Sequence, residues 1–170
     1  LYADTFKAGM LDETIIRYNG VERLAYLMYT QDFWTPVPYI LYILKNVESK
    51  RERDNIFSYM ESYLMRRLIC KSKNNSYSDM FSENLIGQGV NTFEAFKTYV
   101  NDSMARGTLL MPSDEDVLEA VKHNDLKRDA QVILYMLESR LNDTFCSSSH
   151  DNCFNIFVKE QIMPEKADAN

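Results

Sequence analysis

A chain of 170 residues can bury about two-thirds of its unfolded surface, so it closes a core without needing disulfides or a metal. Its apolar share of 45% and charged share of 26% are ordinary for a globular protein, and 5 Gly and 4 Pro argue against a loop-rich or barrel fold. A net charge of −6 gives no general pull toward nucleic acid or anionic membrane, though it leaves room for a local basic patch. The 3 Cys have no spacing of a secreted disulfide framework, which predicts a reducing, cytoplasmic setting. No apolar run approaches the roughly 20 residues that span a bilayer, so no membrane partner is expected. The chain begins at Leu1 rather than Met and reads as a piece of something longer.

In chain order, residues 4–30 read as one or two helices broken at Asn19-Gly20, a turn-favouring pair. The second carries Val21, Leu24, Ala25, Leu27 and Met28 on one face. Thr35-Pro36 opens another helix, where proline's missing N–H costs nothing, and Ile40, Leu41 and Leu44 follow to about Asn46. Charged residues 48–54 start a helix running to about Cys70. Residues 71–76 form a polar loop, followed by a short helix over 77–87. Asn91 reads as an N-cap with Glu94 completing a capping box, and Ser113 with Asp116 forms a second. A long helix over 126–142 places Leu126, Ala130, Ile133, Leu134, Leu137 and Leu141 at helical spacing. After a polar loop over 143–152, Phe154, Ile156 and Val158 alternate as a short strand. The whole reads as an all-α bundle of about seven or eight helices with a C-terminal β-strand segment. The helical domain covers residues 1–145, and residues 146–170 hold the loop and strand.

On the 53–69 helix, 100° per residue brings Ile56, Met60, Tyr63 and Arg67 onto one face, with Arg66 about a quarter-turn away. A guanidinium ending an apolar stripe must reach water or a carboxylate. The expectation is therefore that Arg66 and Arg67 pair with acids such as Glu138 or Asp114, and that Arg67→Met softens the domain. The competing reading makes Arg66, Arg67, Lys71 and Lys73 a phosphate-contacting patch, although short basic groups in acidic proteins are usually solvated faces. Cys146, His150 and Cys153 supply three zinc-type ligands where a structural site takes four, and His123 lies on another helix, so no metal is expected. There is no Gly-x-Ser-x-Gly, no Gly-rich phosphate loop and no His-Glu-x-x-His, and hence no catalytic constellation.

Three segments, Tyr63-Leu64-Met65-Arg66-Arg67-Leu68-Ile69-Cys70, Met111-Pro112-Ser113-Asp114-Glu115 and Val158-Lys159-Glu160-Gln161-Ile162-Met163-Pro164-Glu165, occur in that order. Joined by a helix such as Ile133–Glu138, they resemble the GmrSD family of modification-dependent (type IV) restriction endonucleases over about residues 21–166. The resemblance implies a helical middle region between an N-terminal NTP-hydrolysing domain and a C-terminal HNH-type (ββα-metal) nuclease, with residues 146–170 as the loop and first strand of a truncated nuclease domain, in a phage-defence setting. The parent would use NTP and a divalent metal and act on DNA; this stretch would hold neither cofactor, and its partners would be the two flanking domains.

The family's nuclease opens with a Glu-His-Ile-(Leu/Met)-Pro motif whose His acts as general base. Glu160, Ile162, Met163 and Pro164 match it, but Gln161 stands in the His position and Glu165 replaces the Gln that follows. An amide does not take up a proton near neutral pH as imidazole does, so the departure argues against catalysis. The resemblance thus implies a non-catalytic helical connector. The alternative is a stand-alone helical module that binds protein or DNA phosphate.

Overall fold

The computed structural model describes residues 21–102 and 109–141, apart from the side chains of Glu138, Ser139 and Leu141. Among them are seven α-helices and no strand, an all-α bundle. They are α1 (Val21–Thr30), α2 (Val37–Asn46), α3 (Lys50–Ile69), α4 (Leu85–Gly87), α5 (Phe93–Asn101), α6 (Asp114–His123) and α7 (Ala130–Leu141), with a π-helical turn at Asp79–Asn84 running into α4. No described helix is long and apolar enough to cross a membrane. The helix expected over residues 4–18, the Cys146, His150 and Cys153 run, the strand at 154–158, the Glu160–Pro164 motif and the 145/146 domain boundary lie outside the described residues.

The bundle is organised on α3, a 20-residue helix with buried side chains on most of its circumference, among them Ile56, Phe57, Met60, Tyr63, Leu64 and Met65. Ser49 caps it by accepting from the Glu52 N–H at 3.3 Å. Aromatic rings fill the space between α2, α3 and α5. Tyr39, fully buried, lies 5.7 Å from Phe96 and 6.2 Å from Phe81, and its hydroxyl donates to the Val90 carbonyl at 2.9 Å. Tyr59 meets Phe93 edge-on at 5.5 Å.

Three local expectations are corrected. The cap of α5 is Thr92, in extended conformation, whose hydroxyl accepts from Ala95 N–H at 3.2 Å; Asn91 and Glu94 form no capping box there. A tertiary contact decides this: the Glu52 carboxylate of α3 takes the Phe93 N–H at 2.6 Å, leaving Glu94 as a solvent-facing acid in the first turn. The short helix expected over 77–87 is found there, wound as a π-helix over Asp79–Asn84. The last helix starts at Ala130 rather than 126, because residues 126–129 form a turn closed by Asp129 N–H on the Leu126 carbonyl. Its buried face is also rotated. Val132, Ile133, Tyr135 and Met136 are inside, whereas Leu134 and Leu137, placed on the core stripe by spacing, are 51% and 50% exposed. The second capping box is as expected: Ser113 accepts from Asp116 N–H while Asp116 accepts from Ser113 N–H. Hydrogen bonding from the Ser113 backbone N–H first, and from the Ser113 side chain second, holds the Asp116 carboxyl below the usual carboxylate range.

Three helices end in the same way. After α1, α3 and α4 the second residue past the cap donates back to the third-last carbonyl: Phe33 to Met28, Ser72 to Arg67 and Val90 to Leu85. This motif needs a left-handed residue. Gly89 fills it after α4, but Asp32 and Lys71 fill it after α1 and α3, at φ 49° and 51°. Asp tolerates that region through its short polar side chain, whereas a Lys Cβ crowds the following carbonyl at roughly 1 kcal/mol. Lys71→Gly should therefore raise stability by about 1 kcal/mol and Gly89→Ala should lower it by a similar amount. Urea-denaturation midpoints check both, since a Cβ at Gly89 meets nothing nearer than the Tyr42 hydroxyl at 4.0 Å and any loss is conformational.

Candidate functional site

Two polar systems occupy opposite flanks of α3. On the first, Glu61 is 4% exposed and Arg23, from α1, is 2% exposed. Arg23 donates from Nε and Nη2 to the two carboxylate oxygens of Glu61 at 2.9 and 2.8 Å, and its Nη2 also reaches the Met136 carbonyl of α7 at 3.0 Å. Arg140, also on α7, donates to the same two oxygens at 3.3 and 2.8 Å. One carboxylate is thus gripped by two planar forks, a geometry that lysine does not reproduce. The triad carries a formal +1, and the 40%-exposed Arg140 side chain gives that excess charge access to water. Beside it, the rings of Tyr26 and Tyr135 lie 4.7 Å apart, again joining α1 to α7.

On the second flank, Tyr63, Arg66 and Arg67 share the face that the 3- and 4-residue spacing dictates. They take three carbonyls of the 109–112 segment: Tyr63 hydroxyl donates to Leu109 at 2.8 Å, Arg67 Nη1 to Leu110 at 3.0 Å and Arg66 Nη1 to Pro112 at 3.0 Å. Arg67 also donates to the Tyr77 hydroxyl and the Lys73 carbonyl, and it lies 5.5 Å and 5.0 Å from the Tyr63 and Tyr77 ring centres. Arg66 pairs with Asp114 at the start of α6. At the other end of α6, the Asn124 side-chain amide donates to the last carbonyl of α3, Ile69, at 2.9 Å. Burial pushes the Tyr63 phenol up, so it stays a neutral donor. The Cys70 thiol is also raised, by burial first and by Asp116, with Arg66 and Arg67 opposing, which keeps it protonated rather than nucleophilic.

The expected phosphate-contacting set is therefore split. Arg66 finds Asp114, as the sequence suggests. Arg67, 2% exposed, is bonded to carbonyls and a phenol, and Glu138's side chain lies outside those described. Lys71 and Lys73 remain exposed in the loop after α3. Arg67 and Lys71 together line a cleft of about 450 Å³ between the ends of α1 and α3, with Leu27, Phe33, Leu64 and Arg128 among its walls. No group of three or more metal-type ligands occurs among the described residues.

No family model, curated protein or solved structure matches this chain.

Sequence reasoning missed Arg23, Glu61 and Arg140. The signal was present: Glu61 interrupts the stripe Phe57, Leu64, Leu68 on α3, and an acid on an apolar stripe demands a buried cation. Glu61→Gln should cost about 3–5 kcal/mol, because it leaves two guanidinium groups facing a neutral amide. The apolar triple variant Arg23→Met, Glu61→Leu, Arg140→Met should regain most of that. Arg67→Met, which strips donors from two carbonyls and a phenol, should cost about 3 kcal/mol or more. Urea unfolding of the four proteins decides; a Glu61→Gln protein within about 1 kcal/mol of the parent would remove the triad from this account.

Proposed function

We propose that the chain is a rigid, non-catalytic helical connector in a cytoplasmic DNA restriction endonuclease resembling the GmrSD family. In this reading it holds an NTP-hydrolysing module on its N-terminal side and an HNH-type nuclease on its C-terminal side in fixed register. The supporting observation is the grip on Glu61: the first and last described helices, α1 and α7, supply the two arginines and meet at one buried carboxylate of α3. A connector transmits position only if its two ends cannot drift, and a bidentate ion triad fixes direction as well as distance. The parent's NTP and divalent metal belong to the flanking modules in this proposal, and DNA is a partner through the parent.

The competing reading, a module binding DNA phosphates, needs Arg66, Arg67, Lys71 and Lys73 to face outward together. Two of the four are bonded inward to the 109–112 segment, which favours the connector.

Spin labels at exposed Tyr29 on α1 and Leu137 on α7 test the proposal by pulsed dipolar spectroscopy on the 170-residue chain. One narrow distance distribution, broadened by Glu61→Gln, is the expected result. A broad distribution in the unaltered chain overturns the connector. So does tight binding of duplex DNA at low salt that falls steeply as salt is added.

A further inference from the structure

The cleft at the ends of α1 and α3 plays no part in the connector reading, yet it is built like a ligand site. Its floor is apolar, from Leu27, Leu64 and Leu68, and its aromatic side is formed by Phe33 and Tyr77, whose ring centres are 5.2 Å apart. Beneath lies the buried Arg67. At the rim stand Lys71 and Arg128, and neither side chain has an ion-pair partner among the described residues.

Two carboxylates, Asp32 and Asp129, line the cleft against three cations, Arg67, Lys71 and Arg128, so the lining keeps a formal excess of one positive charge. Asp32 accepts the Trp34 indole N–H at 3.0 Å, and Asp129 immediately precedes the N-terminus of α7, where helix N–H groups favour its charge. The last carbonyls of α3 would ordinarily repel an anion, but all four are occupied. Arg66, Arg67 and Leu68 accept from Cys70, Ser72 and Lys71 N–H, and Ile69 accepts from Asn124. Lys71 is held by its own N–H on Leu68 and by the next residue's N–H on Arg67, in a left-handed conformation that glycine would adopt at lower cost. The position of its Cβ at the rim is fixed rather than averaged.

We propose that this cleft binds a small amphipathic anion, an aryl or alkyl carboxylate or phosphate, independently of the connector role. Lys71 and Arg128 meet its charge, and Leu27, Leu64, Leu68 and Phe33 receive its apolar body. About 450 Å³ suits a ligand from one ring up to nucleoside size. A bare inorganic anion would gain nothing from the apolar floor. A cation would face Lys71, Arg128 and Arg67, one charge more than Asp32 and Asp129 offset. A duplex backbone is too broad to enter.

The 170-residue chain carries its own reporter, because its single Trp is Trp34, bonded to the rim residue Asp32. Phenyl phosphate and benzoate are titrated against it, following Trp34 fluorescence and amide shifts, with inorganic phosphate and benzyl alcohol as controls. The expected result is saturable binding of one or both aryl anions with Kd near or below about 1 mM, and binding weaker by about tenfold or more for both controls. Preference for phenyl phosphate or for benzoate identifies the phosphate or the carboxylate source. Lys71→Gly and Arg128→Gln should each weaken binding by about tenfold, and Lys71→Gly should do so while its denaturation midpoint rises. The proposal is overturned by unchanged affinity in both variants, by equal binding of benzyl alcohol, by no shift at cleft residues up to about 10 mM ligand, or by duplex DNA shifting the same residues more tightly.

Discussion

Glu61 is a carboxylate inside a helical core, and the arrangement of α1 and α7 follows from what it requires. An unpaired buried carboxylate costs several kcal/mol, so the protein folds only into arrangements that bring cations to it. One arginine would neutralise it; two, from helices 117 positions apart in sequence (140 − 23), make its position a three-body constraint. Replacing such a triad by apolar groups often leaves stability intact, so its value lies in selecting one packing rather than in adding energy. Leucine at these sites would let α1 and α7 slide over α3. Bidentate forks do not allow that, because a shift of an ångström breaks paired bonds instead of exchanging one van der Waals contact for another.

The opposite flank of α3 solves a different problem with the same chemistry. Leu109 lies in a 3-10 turn and residues 110–112 are neither helix nor strand, yet Leu109 is buried and its neighbours are partly so, which leaves carbonyls with no ladder to join. Tyr63, Arg66 and Arg67 supply the donors, and Met111 N–H reaches the Val100 carbonyl at 2.9 Å. The Arg-Arg pair is thus a means of burying irregular backbone. Helix α6 gains its position from this segment. Ala120 is its only buried residue, Leu118 and Val121 are more than half exposed, and it is held to α3 by Arg66 at one end and Asn124 at the other.

What could be read from the sequence divides along the same physical line. Periodicity located the helices, because a 3.6-residue pattern is local: Val21–Met28, the turn at Pro36, the run to Ile69 and the Ser113 cap all lie in short windows. The phase argument also placed Arg67 beside Ile56, Met60 and Tyr63, and all four are buried. What failed was decided by partners far away in sequence. Glu52, 41 residues before Phe93, moved the cap of α5 to Thr92. The inward face of α7 follows partners on α1, where Tyr26 packs on Tyr135 and Arg23 takes the Met136 backbone carbonyl, and it leaves Leu134 and Leu137 outside although leucine is the more apolar choice. The Glu61 triad was legible as an anomaly on α3, but no local pattern reveals which cations answer it.

The two left-handed residues beside the cleft carry this reasoning one step further. A helix end that needs only to stop is served at least cost by glycine, as Gly89 shows after α4. At the ends of α1 and α3 the same hydrogen-bond pattern is built on Asp32 and Lys71, and both line one cleft. Neither side chain is needed by the motif itself, which uses backbone groups alone. The larger side chain brings local strain at Lys71, and what it adds is a charge held at a fixed place on the rim of an apolar hollow. Strain kept where a cheaper residue would serve the fold is an argument for function at that spot. Here it points away from the rigid triad and toward the ends of the helices that the triad aligns.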